Sequence, residues 1–291
     1  MTSPGPVVVG IDGPGAETAM RWAIQEAGTR NIPVRLVCAY RAAPGYYQGL
    51  GMYTESPNDM GRVREVAESV IEKALAEAAT IDSDVEVHGQ AVDGSPVPVL
   101  IEESRRASVL VLGSRQRSTL RASILGSVSS AVAARAECPA VVLRGPVGLA
   151  EEESEVVVGV DGTPASQALL QFGFDHASRR RLPLRAVLCW HPDLLATMMW
   201  RPEPPAPTRT EAWLSETLAG WRERYPDVDV HSGVIREHPG AALVAESASA
   251  QVLVVGTRGR HALAGTLLGS VSQAVLHHAT CPVAVVPTHS L

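Results

Sequence analysis

Two tandem α/β domains are predicted, each a doubly wound five-stranded parallel sheet of order 3-2-1-4-5 with helices on both faces. Three observations predict them. At 291 residues the chain is about twice the usual domain length of ~100–200. It repeats itself once along its length. Each copy alternates short, near-continuous Val/Leu/Ile runs with helix-length segments, the pattern of parallel strands covered by helices.

The repeat is read residue by residue. Val7-Val8-Val9-Gly10-Ile11-Asp12-Gly13 returns as Val156-Val157-Val158-Gly159-Val160-Asp161-Gly162, Leu125-Gly126-Ser127-Val128-Ser129 as Leu268-Gly269-Ser270-Val271-Ser272, and Cys138-Pro139 as Cys281-Pro282. The offset is 149 residues at the start and 143 later, so the length difference falls in the least regular part of each copy. Two copies at this spacing make a domain pair, not a solenoid, whose repeats run to ~20–50 residues. The expected division is 1–145, a linker at 146–154 carrying the acidic run Glu151-Glu152-Glu153, and 155–291.

In the first copy, strands are expected at Val7–Ile11, Val34–Tyr40, Val85–Ala91, Ser108–Leu112 and Ala140–Leu143. Helices are expected at Ala16–Arg30, Asp59–Ala79, Pro96–Arg106 and Gly126–Ala136. The second copy gives strands at Glu155–Val160, Leu184–Trp190, Val228–Val234, Gln251–Gly256 and Val283–Val286. Its helices are Thr163 to about Arg180, about Arg209–Arg224, Pro239–Ser249 and Gly269–Ala279. The first of these opens on Thr163-Pro164, with the hydroxyl at the cap and proline at the first helical position. His191–Thr208 reads as an irregular, proline-studded loop, and its counterpart holds Tyr46, Tyr47, Met52 and Tyr53.

Composition removes several function classes. Hydrophobic residues reach 45% and charged residues 19%, enough to bury two cores. No apolar run approaches the ~18–20 residues of a membrane helix, and Met1–Pro6 lacks the start of a signal peptide, so no membrane span and a cytoplasmic location are expected. Net charge of -6 with pI near 5.9 speaks against a nucleic-acid partner. Lys73 is the sole lysine and lies in a charged helical pattern, which leaves neither a Gly-Lys-Ser/Thr P-loop nor a Schiff-base lysine. Cys38, Cys138, Cys189 and Cys281 form no metal or disulfide pattern and read as buried thiols. His277-His278 falls at a helix end, where the dipole favours it more simply than a metal does.

A doubly wound sheet binds ligands at the carboxyl ends of its strands. Gly256-Thr257-Arg258-Gly259 follows a strand there, and nine residues later Gly269-Ser270 opens a helix. With 25 glycines in the chain, this triplet followed by Ser or Thr is expected roughly 0.02 times by chance, so the spacing carries information. Glycines permit positive φ and close approach of backbone to phosphate. The helix start offers free N–H groups and a positive dipole end. Ser270 and Ser272 can add hydroxyl donors, Val271 its amide, and Arg258 and Arg260 can offset phosphate charge. At the other strand end, Asp161 with Gly159 and Thr163 can accept from a base or ribose, and Asp12 with Gly10 repeats it.

Taken together, these motifs resemble the universal stress protein family in its tandem two-domain, bacterial, mycobacterial-like form, over nearly the whole chain. The family signature Gly-x2-Gly-x9-Gly-Ser/Thr is matched by Gly256, Gly259, Gly269 and Ser270, and its Val-Gly-Val-Asp-Gly-Ser/Thr start by Val158–Thr163. The resemblance implies ATP, with or without Mg2+, its adenine near the first strand's Asp and its triphosphate along the glycine loop and final helix. It also implies a stress-linked regulatory role without catalytic residues, and pairing of domains through the last strands, giving a homodimer of tandem chains. That pairing has a physical motive, because Ala140–Leu143 and Val283–Val286 would otherwise be apolar open edges.

The first copy departs from the signature. It reads Gly113-Ser114-Arg115-Gln116, nine residues, then Gly126-Ser127-Val128-Ser129, with Gln116 in the second glycine's place. If that position needs positive φ, a side chain costs on the order of 1 kcal/mol. Pro14 stands where Thr163 offers a hydroxyl. Both halves are therefore expected to bind ATP, the second more securely. Gly94-Ser95-Pro96 is expected to cap its helix, and Arg179-Arg180-Arg181 to meet solvent at a helix end. The competing functions are a slow ATPase and a partner-binding module with a degenerate first site. The His-x-Gly-His and Ser-Gly-Gly-x-Asp-Ser signatures of adenylyl enzymes are absent.

Overall fold

The computed structural model describes residues 5–13, 15–41, 45–47, 52–54, 59–82, 84–113, 126–143, 154–189, 207–257 and 268–288. The chain divides into two compact units, Met1–Val147 and Gly148–Leu291.

In the first unit, β1 (Val7–Gly10), α1 (Glu17–Arg30), β2 (Val34–Tyr40), β3 (Gly45–Tyr47) and β4 (Met52–Thr54) come first. They are followed by α2 (Asp59–Ala78), β5 (Val87–Asp93), α3 (Pro96–Ser104), β6 (Val109–Gly113), α4 (Ser127–Ala133) and β7 (Ala140–Leu143). Parallel pairing gives the order β5-β2-β1-β6-β7, with Val7 opposite both Val34 and Val109. This is the expected 3-2-1-4-5 winding with one addition. The segment read as irregular contains a short antiparallel hairpin, β3 with β4, that pairs Gly45 with Thr54. Strands of three residues are too short to leave a periodic trace in sequence.

The second unit repeats the plan with β8 (Glu155–Val160), α5 (Ser166–Arg180), β9 (Leu184–Cys189), α6 (Pro207–Arg224), β10 (Val230–Ile235), α7 (Pro239–Glu246), β11 (Ala250–Gly256), α8 (Ser270–His278) and β12 (Val283–Val286). Its order is β10-β9-β8-β11-β12, again all parallel. The central strands are buried on both faces, which is why Val156–Val158 and Val252–Val255 read as unbroken apolar runs.

Both copies lock their crossovers in the same way. Arg35 on β2 makes two bonds to Glu103 on α3, 2.8 and 3.0 Å, and Arg185 on β9 reaches Glu246 on α7 at 2.7 Å. The buried Ser104 and Ser247 hydroxyls each donate to a carbonyl three residues back in the helix, and each accepts a backbone N–H, from Glu137 and Thr280 respectively. These serines stop α3 and α7 two or three residues before the sequence pattern does.

Lys73 is exposed, as its charged surroundings suggest. The four cysteines are free, and three are buried. Burial first, with Asp12 nearby for Cys38 and Glu246 and Glu237 for Cys189, pushes these two thiols up to about 11. Burial pushes Cys138 and Cys281 up to about 12. All are therefore protonated near neutrality and are poor nucleophiles. His277 and His278 occupy the last turn of α8.

Helix α1 ends on Asn31 and α5 on Arg181, both left-handed, with φ of 52° and 54°. The Arg181 N–H satisfies helix-end carbonyls of Ala177 and Ser178, so the exposed arginine run serves backbone geometry as well as solvent contact. Arginine carries a Cβ penalty there that glycine does not, so Arg181→Gly should stabilise the second unit by about 0.5–1 kcal/mol, read as a higher urea midpoint. Stability should also depend on alkaline pH. A thiol near 9.0 when exposed and about 11–12 when folded keeps its full stabilising effect below pH 9 and loses it as pH rises through the folded value. Urea midpoints should therefore fall from pH 9 to 12, and Cys281→Val should flatten that decline.

Candidate functional site

Because β8 and β11 are adjacent and parallel, with Val158 opposite Val254, the two segments singled out by sequence leave the sheet at the same edge. Strands so paired lie ~5 Å apart. At this edge β11 ends in Gly256, and Thr257 follows. The Thr257 carbonyl accepts the Gly269 N–H at 2.8 Å, so the two ends of the glycine loop are fastened together where α8 begins. Gly269 is the residue before the helix, and the first intrahelical bond runs from Gln273 N–H to its carbonyl at 2.9 Å. The amides of Ser270, Val271 and Ser272 precede that bond, which is the arrangement that favours an anion. The Ser270 side chain is exposed at this opening.

Asp161 follows β8. Its Oδ1 accepts from Thr163 N–H (3.0 Å), Thr163 Oγ1 (2.7 Å) and Ser166 Oγ (3.0 Å), while Ser166 Oγ accepts the Asp161 N–H at 3.3 Å. One carboxylate oxygen is thereby fixed by three donors. Its Oδ2 has no hydrogen bond among the described residues and remains an acceptor. Gly162, φ 77°, makes the turn between them in a region that glycine enters without strain.

The geometry shows what several of these residues do locally. Gly269 and Gly126 do not use the positive φ that glycine permits: both are extended, with φ of -69° and -65°. At Gly126 a Cβ would find only Ser129 Oγ, 3.8 Å away, so the missing side chain leaves the helix mouth open. Ser272 and Ser129 do not present hydroxyls to a ligand. They are buried and donate to the carbonyls of Gly256 and Gly113, at 2.5 and 3.2 Å, tying each final helix to the strand before it. Gly159 and Gly10 serve packing: a Cβ would sit 2.8 Å from Leu243 and 3.1 Å from Leu100. Thr163 binds Asp161 instead of capping α5, which starts at Ser166 after a turn. Ser95 does precede α3, but its hydroxyl takes the Arg41 guanidinium at 3.0 Å and does not cap; at the matching place His238 Nδ1 accepts from Gly240 N–H.

The first unit places Asp12 exposed after β1, Gly113 at the end of β6, and Ser127 and Val128 in the first turn of α4. There too the first intrahelical bond, Ser130 N–H to Gly126, begins beyond three leading amides. Arg258, Gly259, Arg115, Gln116 and Pro14 lie outside the described residues. Sequence reasoning missed Thr257 and Ser166. Both are small hydroxyl residues buried beside a motif, and their only signal was position. Among the described residues there is no cluster of three or more His, Cys, Asp or Glu suited to a metal ion, and no helix is long and apolar enough to cross a membrane.

Comparison with known proteins identifies the family. The model of the universal stress protein family matches residues 5–144 and again 154–287. The chain is 40% identical over 288 residues to universal stress protein Rv2005c of Mycobacterium tuberculosis, covering 96% of each chain. It is 35% identical to universal stress protein Rv2623 of the same organism, covering 96% of this chain and 95% of that one. Among solved structures, a universal stress protein from Archaeoglobus fulgidus superposes with a TM-score of 0.73 at 17% identity, covering 97% of this chain and 96% of that one, a likeness of fold. The chain belongs to the universal stress protein family and carries two copies of its domain in tandem.

Proposed function

We propose that this protein binds ATP and acts as a nucleotide-responsive regulatory module in stress or growth control. The observation that carries the reading is the fastened glycine loop. It sets the leading amides of α8 at the same sheet edge as the Asp161 carboxylate, whose Oδ2 has no hydrogen bond among the described residues. On this reading the triphosphate lies against the amides of Ser270, Val271 and Ser272 with the Ser270 hydroxyl. Arg258 supplies charge, and Gly256 and Gly259 leave room for the backbone to approach. Adenosine lies toward Asp161, whose Oδ2 accepts from it. Mg2+, where it accompanies ATP, would offset phosphate charge there.

The first half takes the same ligand more weakly, through Asp12, Gly113, Arg115, Gly126, Ser127, Val128 and the Ser129 amide. Its final helix has seven residues against nine in the second, and Pro14 and Glu17 stand in sequence where the second half has Thr163 and Ser166. We assign the protein to the cytoplasm, in keeping with four free thiols. We also propose that domains associate by pairing one apolar last-strand edge with another, in a homodimer of tandem chains.

Calorimetric titration with ATP tests the site. The wild type should show one tighter and one weaker site, Gly269→Val should weaken the tighter by about tenfold or more, and Gly126→Val should affect only the weaker. Bound ATP should survive hours of incubation without ADP accumulating. Absence of ATP binding, or equal losses from the two substitutions, would overturn the assignment; steady ADP release would favour a slow ATPase.

A further inference from the structure

In the second unit the chain leaving β12 returns to the mouth of the glycine loop. The Thr288 N–H donates to Thr257 Oγ1 at 3.1 Å, and the two threonine hydroxyls are hydrogen-bonded at 2.9 Å. Thr257 also donates its N–H to the Val286 carbonyl at 3.0 Å and accepts the Gly269 N–H at 2.8 Å. It is 1% exposed, and all of its polar groups are engaged. One buried residue thus joins the end of β11, the exit from β12 and the entry to α8, its backbone bonding Val286 and Gly269 and its side chain Thr288.

We propose that Thr288 is a positioning residue for the phosphate-binding segment, acting through Thr257. The inference rests on the nucleotide reading above and adds to it the device that holds the amides in place. A buried hydroxyl needs its partner, and Thr288 supplies that partner twice, through its N–H and its hydroxyl. With both in place the Thr257 side chain is held in one orientation, and the residue whose carbonyl receives Gly269 is tied to the exit from β12. The leading amides of α8 then meet an anion already arranged, and binding loses less to ordering. In the sequence of the first copy the position matching Thr288 is Gly145, which has no hydroxyl, and the position matching Thr257 is Ser114.

The test uses the full-length chain carrying Gly126→Val, so that the second half is read alone. Thr288→Val should raise the Kd for ATP by roughly three- to tenfold, the effect of one hydrogen bond, and leave adenosine binding unchanged. Thr288→Ser should restore the wild-type value. In parallel, amide hydrogen exchange at Gly269 should be slow in the parent and several-fold faster in Thr288→Val. Unchanged ATP affinity, an equal loss for adenosine, or no rescue by serine would overturn the proposal. If the parent binds no ATP, the nucleotide reading fails, and Gly269 exchange then decides alone: faster exchange in Thr288→Val keeps the clasp, and unchanged exchange removes it.

Discussion

The Gly269 N–H to Thr257 carbonyl bond, 2.8 Å long, is the constraint on which the site depends. A parallel sheet delivers strand ends to one edge but says nothing about where the next helix begins. Closing the loop with a backbone bond fixes that start relative to β11, and the Ser272 hydroxyl on the Gly256 carbonyl adds a second tie one turn along. The helix mouth is thereby oriented before any ligand arrives. This matters because an anion gains from amides only when they point together.

A division of labour follows among residues that sequence motifs treat alike. Ser270 and Ser272 are separated by one residue, yet the first is exposed at the helix mouth and the second is buried against Gly256. Residues one and three of a helix face directions ~200° apart, so alternation in sequence becomes a split between ligand side and sheet side. The strand glycines divide similarly. Gly159 makes room for Leu243 on α7, whereas Gly162 makes the turn behind Asp161. A motif records both kinds of requirement without distinguishing them.

The fold was legible because both faces of each sheet are covered. Such strands must be apolar throughout, and β7 and β12 match the expected Ala140–Leu143 and Val283–Val286 residue for residue. Helix ends were less legible, since Ser104 and Ser247 terminate α3 and α7 through hydrogen bonds to residues over thirty positions away. For the candidate site, the placement of Asp161 and Thr257 after strands was legible and their hydrogen bonds were not. Asp161 was found from its place after a strand, but its hold by Thr163 and Ser166 depends on how the turn folds back. Thr257 was passed over because a threonine between two glycines looks like loop filler until the chain exit at Thr288 comes to meet it.

Duplication supplies an internal comparison of what the fold requires and what a site adds. The elements repeated in both halves, the Arg–Glu crossover locks, the buried helix-end serines and the Ser-to-Gly carbonyl ties, belong to the architecture, for each joins one layer to the next. At positions that follow the strands in sequence the two copies differ in chemistry: Thr163 and Ser166 against Pro14 and Glu17, Thr288 against Gly145, and Gly259 against Gln116. Layers can be kept while the edge changes, because edge residues contribute little to the core. The second half has accumulated hydroxyls that fix an acid and a loop end, and the first retains the scaffold with fewer of them. Differences at those positions are what the proposed pair of sites of unequal affinity on one scaffold would require.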